Sequence, residues 1–415
     1  MTDRGGRALR ATIVIPSYWG RSGAEMPNPK DAVYDHPTPL DAPGTLGRAL
    51  GSIAELENRE FNVVVLAVAT SPEIAEAVEE KVKSIVAPYR RHFPVTCLSY
   101  SFMRRLESRL AEEAESTGGE NLTWMVSLLG YSNIRNMCVI AAQLARSEVA
   151  VLFDDDEVYE DHGYLDKVFE NIGGEHEGKF VGAIAGYYLR PEGGYLLPLS
   201  KDWWMAEWPA VVTMNQAFSI IGEGPRLQVT PFVFGGNMII HRDVFHRIPF
   251  DPNVRRGEDI DYLVNCKFFG IDFLLDRELS ILHLPPEKTA PDWRRLREDI
   301  YRFIYQRAKL RAQVPAEGLR TVTVEELDPY PGRFTRDDLE EMIFRTSVLM
   351  GLRHMEMKDK LGFDESLNNI YLARFDASPK TDPFRWFLDY QVHWKGLMEF
   401  LGKDRVLSEE LLGSM

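Results

Sequence analysis

Residues 149–161 read VAVLFDDDEVYED, an apolar run that passes directly into Asp154, Asp155 and Asp156. Consecutive apolar positions in so short a run are the mark of a strand buried on both faces of a parallel sheet. The segments ATIVIP at 11–16, FNVVVLAVAT at 61–70 and VTCLSYS at 95–101 read as further strands. Helical patterns lie between them. TLGRALGSIAEL follows the first strand, and 72–91 spaces Ile74, Val78, Val82 and Ile85 along one face. A polar stretch over about 104–115 ends at Gly118-Gly119, and NIRNMCVIAAQLARS leads into the acidic strand. This alternation predicts a mostly parallel sheet with helices on both faces and a ligand crevice at the carboxyl ends of its strands.

Beyond residue 160 the pattern predicts a helix over 164–171, strands over 179–189, 230–241 and 273–284, and a helix over 259–269. A Trp-rich segment, DWWMAEW, occupies 202–208. From Pro291 onward amphipathic helices dominate, over 292–312, 336–360 and 384–402. The expected organisation is therefore an α/β domain at 1–285 followed by a mainly helical region at 286–415. Residues 18–44, rich in Gly and Pro and without periodicity, read as a long functional loop.

Bulk composition narrows the function. Of 415 residues, 45% are hydrophobic and 27% charged, as in ordinary folded proteins. Lys and Arg number 48 against 63 Asp and Glu, a net charge of −15, which argues against nucleic acid or an anionic membrane as a partner. An anionic substrate then needs a cation or a few placed arginines. Cys97, Cys138 and Cys266 are far apart, have no zinc spacing and lie in apolar runs, as buried thiols of a reducing compartment do. No window approaches the roughly eighteen apolar residues of a membrane span, so the expectation is a cytoplasmic protein without an integral membrane segment.

Strand alternation points Asp154 and Asp156 to one side and Asp155 to the other. Two converging carboxylates repel each other unless a divalent cation or a hydrogen-bonded cradle neutralises them, and oxygen ligands favour Mg2+ or Mn2+. A solvated acidic turn is the plainer alternative. Arg135 fits either a phosphate or a structural ion pair with these aspartates. Glu258 and Asp259, in RRGEDID, stand at a loop-to-helix junction, where carboxylates either cap the helix or serve as anions in chemistry.

Four elements in chain order, TIVIPSY, NIRNMC, the DxD of Asp154 to Asp156, and GEDIDYLVN at 257–265, resemble the GT-A glycosyltransferases, particularly the family-2-like nucleotide-sugar transferases. The resemblance implies a Rossmann-like GT-A domain over about residues 11–285 and metal-dependent transfer of a sugar, with Mn2+ or Mg2+, from a nucleoside-diphosphate sugar to a hydroxyl acceptor. It places Pro16, Ser17 and Tyr18 against the nucleotide, Arg135 and Asn136 near its ribose or phosphates, and Asp154 and Asp155 beside the donor. Asp154 and Asp156 become metal ligands. Asp259, with Glu258 beside it, corresponds to the general base of inverting members. His283 stands where some members, including retaining ones acting on glycerate-type acceptors, carry a metal-binding histidine, and a structural role is the alternative. Gly235, Gly236 and Asn237 interrupt a strand, either for close approach to an acceptor or as a bulge. Trp204, with Trp203 and Trp208, offers a sugar-stacking face or an interdomain core.

The chain departs from the family at AVATSPE, which lacks the acidic residue that often reads uracil, so guanosine stays open beside uridine. A sugar-1-phosphate nucleotidyltransferase ranks second, because PSYWGRSG is only a weak version of the basic Gly-rich loop it needs. The helical C-terminus either completes the acceptor pocket or forms a homodimer interface.

Overall fold

The computed structural model describes residues 9–23, 31–32, 34–200, 202–286, 290–413 and 415. In chain order the strands are β1 (Ala11–Gly20), β2 (Thr38–Pro39), β3 (Phe61–Ala69), β4 (Val95–Leu98), β5 (Val149–Leu152), β6 (Glu157–Val158), β7 (Glu175–His176), β8 (Lys179–Phe180), β9 (Ala183–Leu189), β10 (Leu227–Val229), β11 (Met238–His241) and β12 (Leu274–His283). The helices are α1 (Leu46–Ala54), α2 (Ala75–Val86), α3 (Tyr100–Thr117), α4 (Tyr131–Leu144), α5 (Tyr164–Asn171), α6 (Ala210–Gly222), α7 (Arg242–Phe245), α8 (Glu258–Phe268), α9 (Asp292–Arg311), α10 (Leu339–Glu356), α11 (Lys360–Phe375), α12 (Pro383–Lys403) and α13 (Arg405–Gly413).

The apolar strands pair as their burial requires. The main sheet runs β10-β12-β9-β11-β5-β1-β3-β4, with β2 added beside β1 and β6 beside β12. β1, β3, β4 and β5 are parallel, with Ala11 opposite both Phe61 and Val149. β11 runs antiparallel between β5 and β9. From β1 the chain steps outward through β3 to β4, then returns to place β5 on the other side of β1. That reversal makes the carboxyl ends of β1 and β5 the switch point where open α/β sheets bind ligands.

Side chains alternate across this sheet into two apolar layers. Ile13, Ile15, Val63 and Val65 pack with α1, α2 and α5 on one face. Val14, Val64 and Leu66 face the other way, where α3, α4 and α8 are joined by α9, α10 and α12 in one continuous core. Among the described residues no helix is long and apolar enough to cross a membrane. The three cysteines are unpaired, with Cys138 and Cys266 buried and Cys97 only partly so.

The expected α/β architecture with a helical C-terminal region is the one observed, with local differences. β1 continues past Pro16 to Gly20. Proline is tolerated there because pairing with β5 ends at Val14, so its missing N–H breaks no ladder on that side. The strand read over 230–241 shrinks to β11, since Thr230 bonds its own turn through Phe232 and the two glycines interrupt extended backbone. α6, α11 and α13 were not read from periodicity. In α11 Leu361, Tyr371 and Phe375 are exposed, so no clean apolar stripe exists to detect. Part of the 18–44 loop, residues 24–30 and 33, lies outside the described residues.

Candidate active site

The strand before the three aspartates ends at Leu152, and Asp155 and Asp156 occupy a turn. The expectation that Asp154 and Asp156 share one side through strand alternation is therefore corrected. The turn fans the three carboxylates toward three different partners. Asp154 Oδ1 and Oδ2 accept from the Nη1 and Nη2 of Arg135 at 2.7 and 3.0 Å. Asp155 accepts from the Ser17 hydroxyl at 2.6 Å, which ties the end of β5 to β1 across the switch point. Asp156 Oδ2 lies 3.5 Å from His283 Nε2.

Each carboxylate takes a protonation behaviour from its partner. Burial, which exceeds the help of the Ser17 hydrogen bond, and repulsion from its two neighbours push Asp155 up to about 7. Burial also pushes Asp156 upward, but the hydrogen bond and charge of His283, with His36 adding to them, hold it below the usual carboxylate range. Glu157, fully buried behind the turn, caps the Asp154 N–H at 2.8 Å. Burial and repulsion from Asp154 and Asp156 push its carboxyl well above the ordinary range.

His283 is positioned by backbone pairing, because it stands opposite Glu157 where β12 meets β6. The ring of Tyr188 stacks on it at 4.6 Å and fixes its plane. Among the described residues no three His, Cys, Asp or Glu side chains converge as a metal cage. The expected trio of Asp154, Asp156 and His283 is thus not brought together, because Arg135 holds both oxygens of Asp154. The pair that remains, one carboxylate and one imidazole, is a donor set that suits Mn2+ and leaves most of a coordination sphere to oxygens from outside the protein.

Arg135 organises the second half of the site. Its Nε donates to Glu258 Oε1 at 3.2 Å, so one buried guanidinium joins the β5 turn to the first turn of α8. Glu258 is pushed up to about 6, by burial and by the charge of Asp259, against the pull of Arg135. Burial raises Asp259 as well, while the Ile260 amide, Arg302, Arg135 and the Gly235 backbone oppose that rise. Gly257 enters α8 with φ 72°, a left-handed conformation that favours glycine, and a Cβ there would lie 2.2 Å from Arg302 Cδ.

The glycines at 235 and 236 serve close approach, but to protein atoms. A Cβ on Gly235 would stand 2.6 Å from Arg135 Nη2, and one on Gly236 would stand 2.0 Å from Glu157 Oε1. Asn237 does not face an acceptor: it is fully buried, accepts from Tyr164 and donates to the Tyr187 and Leu279 carbonyls. Asn136 is likewise withdrawn from the donor, because its amide pairs with the backbone of Phe250 at 2.9 and 2.8 Å. Adjacent helical residues diverge by about 100°, so Arg135 and Asn136 could not both face the site. Trp204 is packed into the apolar core and offers no open ring to a sugar, unlike the exposed Trp203. Tyr18 rests against Tyr34 and Tyr131, with centroids 4.6 and 5.7 Å away, and its buried hydroxyl has no hydrogen-bond partner among the described residues. Pro16 is buried in β1 beside Ser17.

Sequence reading missed several residues here. Arg302, in α9, feels the charge of Asp259 and donates to the Tyr330 hydroxyl, so the helical region contributes to the site. Lys309 lies fully buried between Asp251 and Asp261, at 2.6 and 2.9 Å. A lysine in an amphipathic stretch carries no signal of such a role. Glu157, directly after the three aspartates, could have been suspected from its place alone.

No family model and no curated protein matches the chain. Among solved structures it is similar to a mannosyltransferase from Pyrobaculum calidifontis in complex with GDP-Man and Mn2+, at 12% identity over 99% of this chain and 88% of that one, with a TM-score of 0.43. It is also similar to GalNAc-T7 with UDP, GalNAc and Mn2+, at 12% identity over 85% of this chain and 58% of that one, with a TM-score of 0.36. A third similar structure is a mycobacterial protein, at 13% identity over 72% and 74% of the two chains and a TM-score of 0.36.

Proposed function

We propose that the chain is a metal-dependent glycosyltransferase that moves a sugar from a nucleoside-diphosphate sugar to a hydroxyl acceptor. The observation that carries this reading is the fan of Asp154, Asp155 and Asp156 at the switch point. It links the first strand through Ser17, a metal-competent pair through His283, and the α8 carboxylates through Arg135. Asp156 and His283 would hold Mn2+ or Mg2+, with Mn2+ favoured by the imidazole. When bound, such an ion supplies Lewis-acid neutralisation of a departing diphosphate.

The chain's own residues do the rest. Ser17, Asp155 and the unpartnered Tyr18 hydroxyl lie along the nucleotide side of the crevice. Arg135 keeps Asp154 and Glu258 in fixed orientation, so neither of these two is free to swing toward the ion. In the transfer, the acceptor oxygen bonds to the anomeric carbon. The bond from that carbon to the diphosphate oxygen breaks, its electron pair leaving on the diphosphate. Asp259 takes the hydroxyl proton, a task that its raised affinity for protons favours. This direct displacement makes inversion the favoured outcome.

The test is a thermal-shift panel of UDP-, GDP- and ADP-sugars with and without Mn2+ or Mg2+. A shift that needs both nucleotide and metal is expected. If no nucleotide moves the transition in any metal, the transferase reading is wrong. Asp259→Asn is expected to keep the shift and lose transfer, and a fully active variant would remove Asp259 as base.

A further inference from the structure

A cavity of about 420 Å3 opens between the start of α4, the 252–256 loop and the first turns of α9, and it is lined by Arg255, Arg256, Arg294 and Arg295 against Asp35 and Glu298. Four guanidinium groups on one cavity run against the balance of a chain whose net charge is −15. Two of them have evident structural work. Arg256 pairs with Asp35 at 3.0 Å, and Arg255 lies over the Tyr301 ring at 4.6 Å. Arg294 and Arg295 have no carboxylate partner among the described residues.

Their position sharpens the point. Both stand in the first turn of α9, a positive helix end that disfavours cations and whose one acidic residue, Asp292, is engaged by the Trp293 amide and by His354. α4 adds a second positive end, since Gly130 gives it no side-chain cap and its first turn holds no acidic residue. An electrostatic excess of this kind is relieved by an anion entering from outside.

The cavity adjoins the proposed chemistry. Tyr131 lines it and meets Tyr18, whose ring centroid is 5.7 Å away. Arg256 directly precedes the Gly257-Glu258-Asp259 turn. The proposed donor side runs over the Asp156–His283 pair, Asp155 and Ser17 and ends at Tyr18, and the cavity lies beyond it past Tyr131, so this flank falls to the other substrate. At about 420 Å3 the space suits a small molecule.

We infer that this cavity is the acceptor pocket, and that the acceptor is a small anionic hydroxyl compound whose carboxylate or phosphate is held by Arg294 and Arg295. The assignment rests on the transferase reading above. The acceptor hydroxyl points to Asp259 while the anionic group stays at the start of α9.

Inorganic phosphate serves as the probe, in thermal-shift titrations of the full chain with and without saturating UDP or GDP and Mn2+. Arg294 is half-buried and Arg295 exposed, so Arg294→Ala/Arg295→Ala is compatible with folding, and its own transition reports whether it folds. The wild type should respond to phosphate even when nucleotide is saturating. The double variant should need at least tenfold more phosphate for the same shift and should keep its nucleotide response, and Arg294→Lys/Arg295→Lys should recover part of the loss. An unchanged phosphate response in the double variant overturns the inference. So does competition between nucleotide and phosphate together with loss of the nucleotide response in the variant, because the cavity then holds the donor's diphosphate. If phosphate binds through these arginines but no nucleotide binds at all, the transferase reading fails, and the acceptor role fails with it while the anion site stands.

Discussion

In Glu258, burial and a neighbouring carboxylate act in the same direction on one group. It is buried, it lies beside Asp259, and its pull toward Arg135 does not offset those two effects, so its carboxyl rises from 4.5 to about 6. A carboxyl that holds its proton more tightly when folded contributes stability that is fully present below pH 4.5 and is lost as pH rises through about 6. The difference of about 1.5 pH units, at about 1.4 kcal/mol for each, amounts to about 2 kcal/mol. For a chain of 415 residues, roughly 2.1 cal/mol/K per residue gives an unfolding entropy near 0.9 kcal/mol/K, so the change in Tm is about 2 °C.

The substitution Glu258→Gln keeps the shape and removes the titration. Scanning calorimetry of both proteins from pH 4 to pH 8 gives the difference in Tm, from which titrating groups other than the coupled Glu258–Asp259 pair cancel to first order. At pH 4 the two should melt together, relative to whatever fixed offset the amide introduces. By pH 7.5 the wild type should have fallen about 2 °C further than the variant. A wild type that instead gains on the variant with rising pH would show that Arg135 dominates Glu258 and holds it ionised, and the described balance of burial and charge would be wrong.

Three further outcomes follow from particular contacts. Asp156→Asn and His283→Ala should each lose most of the Mn2+-dependent part of nucleotide stabilisation, which at a hundredfold excess over Kd is about 2.7 kcal/mol; an unchanged Mn2+ titration in both would detach the pair from any metal. Lys309→Met leaves Asp251 and Asp261 buried without their cation, so urea unfolding should show a loss of about 3–5 kcal/mol, and a loss below about 0.5 kcal/mol would contradict the pairing. Gly236→Ala places a methyl 2.0 Å from Glu157 Oε1, so it should destabilise by about 1–3 kcal/mol, whereas a neutral result would mean that the Glu157 carboxyl moves aside freely.

The fold was legible where burial is continuous. VAVLF has no polar position and FNVVVLAVA only Asn62, so neither suggests an exposed face, and both are central strands parallel to β1. The site was legible as a set of residues but not as an arrangement. Asp154 to Asp156 announce themselves, yet the strand stops two residues before the first of them, and alternation gives no guide inside a turn. Asn136 and Asn237 looked like ligand-facing polar groups because the sequence does not reveal their buried backbone partners, Phe250 in one case and Tyr187 and Leu279 in the other. Trp204 failed as a sugar platform for a related reason: aromatic clusters serve cores and ligand faces with the same residues, and only packing tells them apart.

The helical C-terminal region changes what the acidic pair on α8 can do. Carboxylates exposed to water keep near-ordinary proton affinities, but Glu258 and Asp259 are withdrawn from it. α9 lays Arg302 against Gly257 and under the charge of Asp259, and buries Lys309 beside Asp261, one turn further along α8. These contacts do two opposed things. They exclude solvent, which raises the proton affinity of the pair, and they supply cations, which lower it. The resulting carboxyls titrate closer to neutrality than free carboxylates, which is the range in which a base takes a proton as a bond forms and gives it up afterward. The same helix carries Arg294 and Arg295 at its start, about two turns ahead of Arg302. On the acceptor assignment proposed above, one element sets both the proton affinity at the reacting end of the acceptor and the charge at its other end, and because α9 shares one core with α4 and α8 the two are held at a fixed spacing.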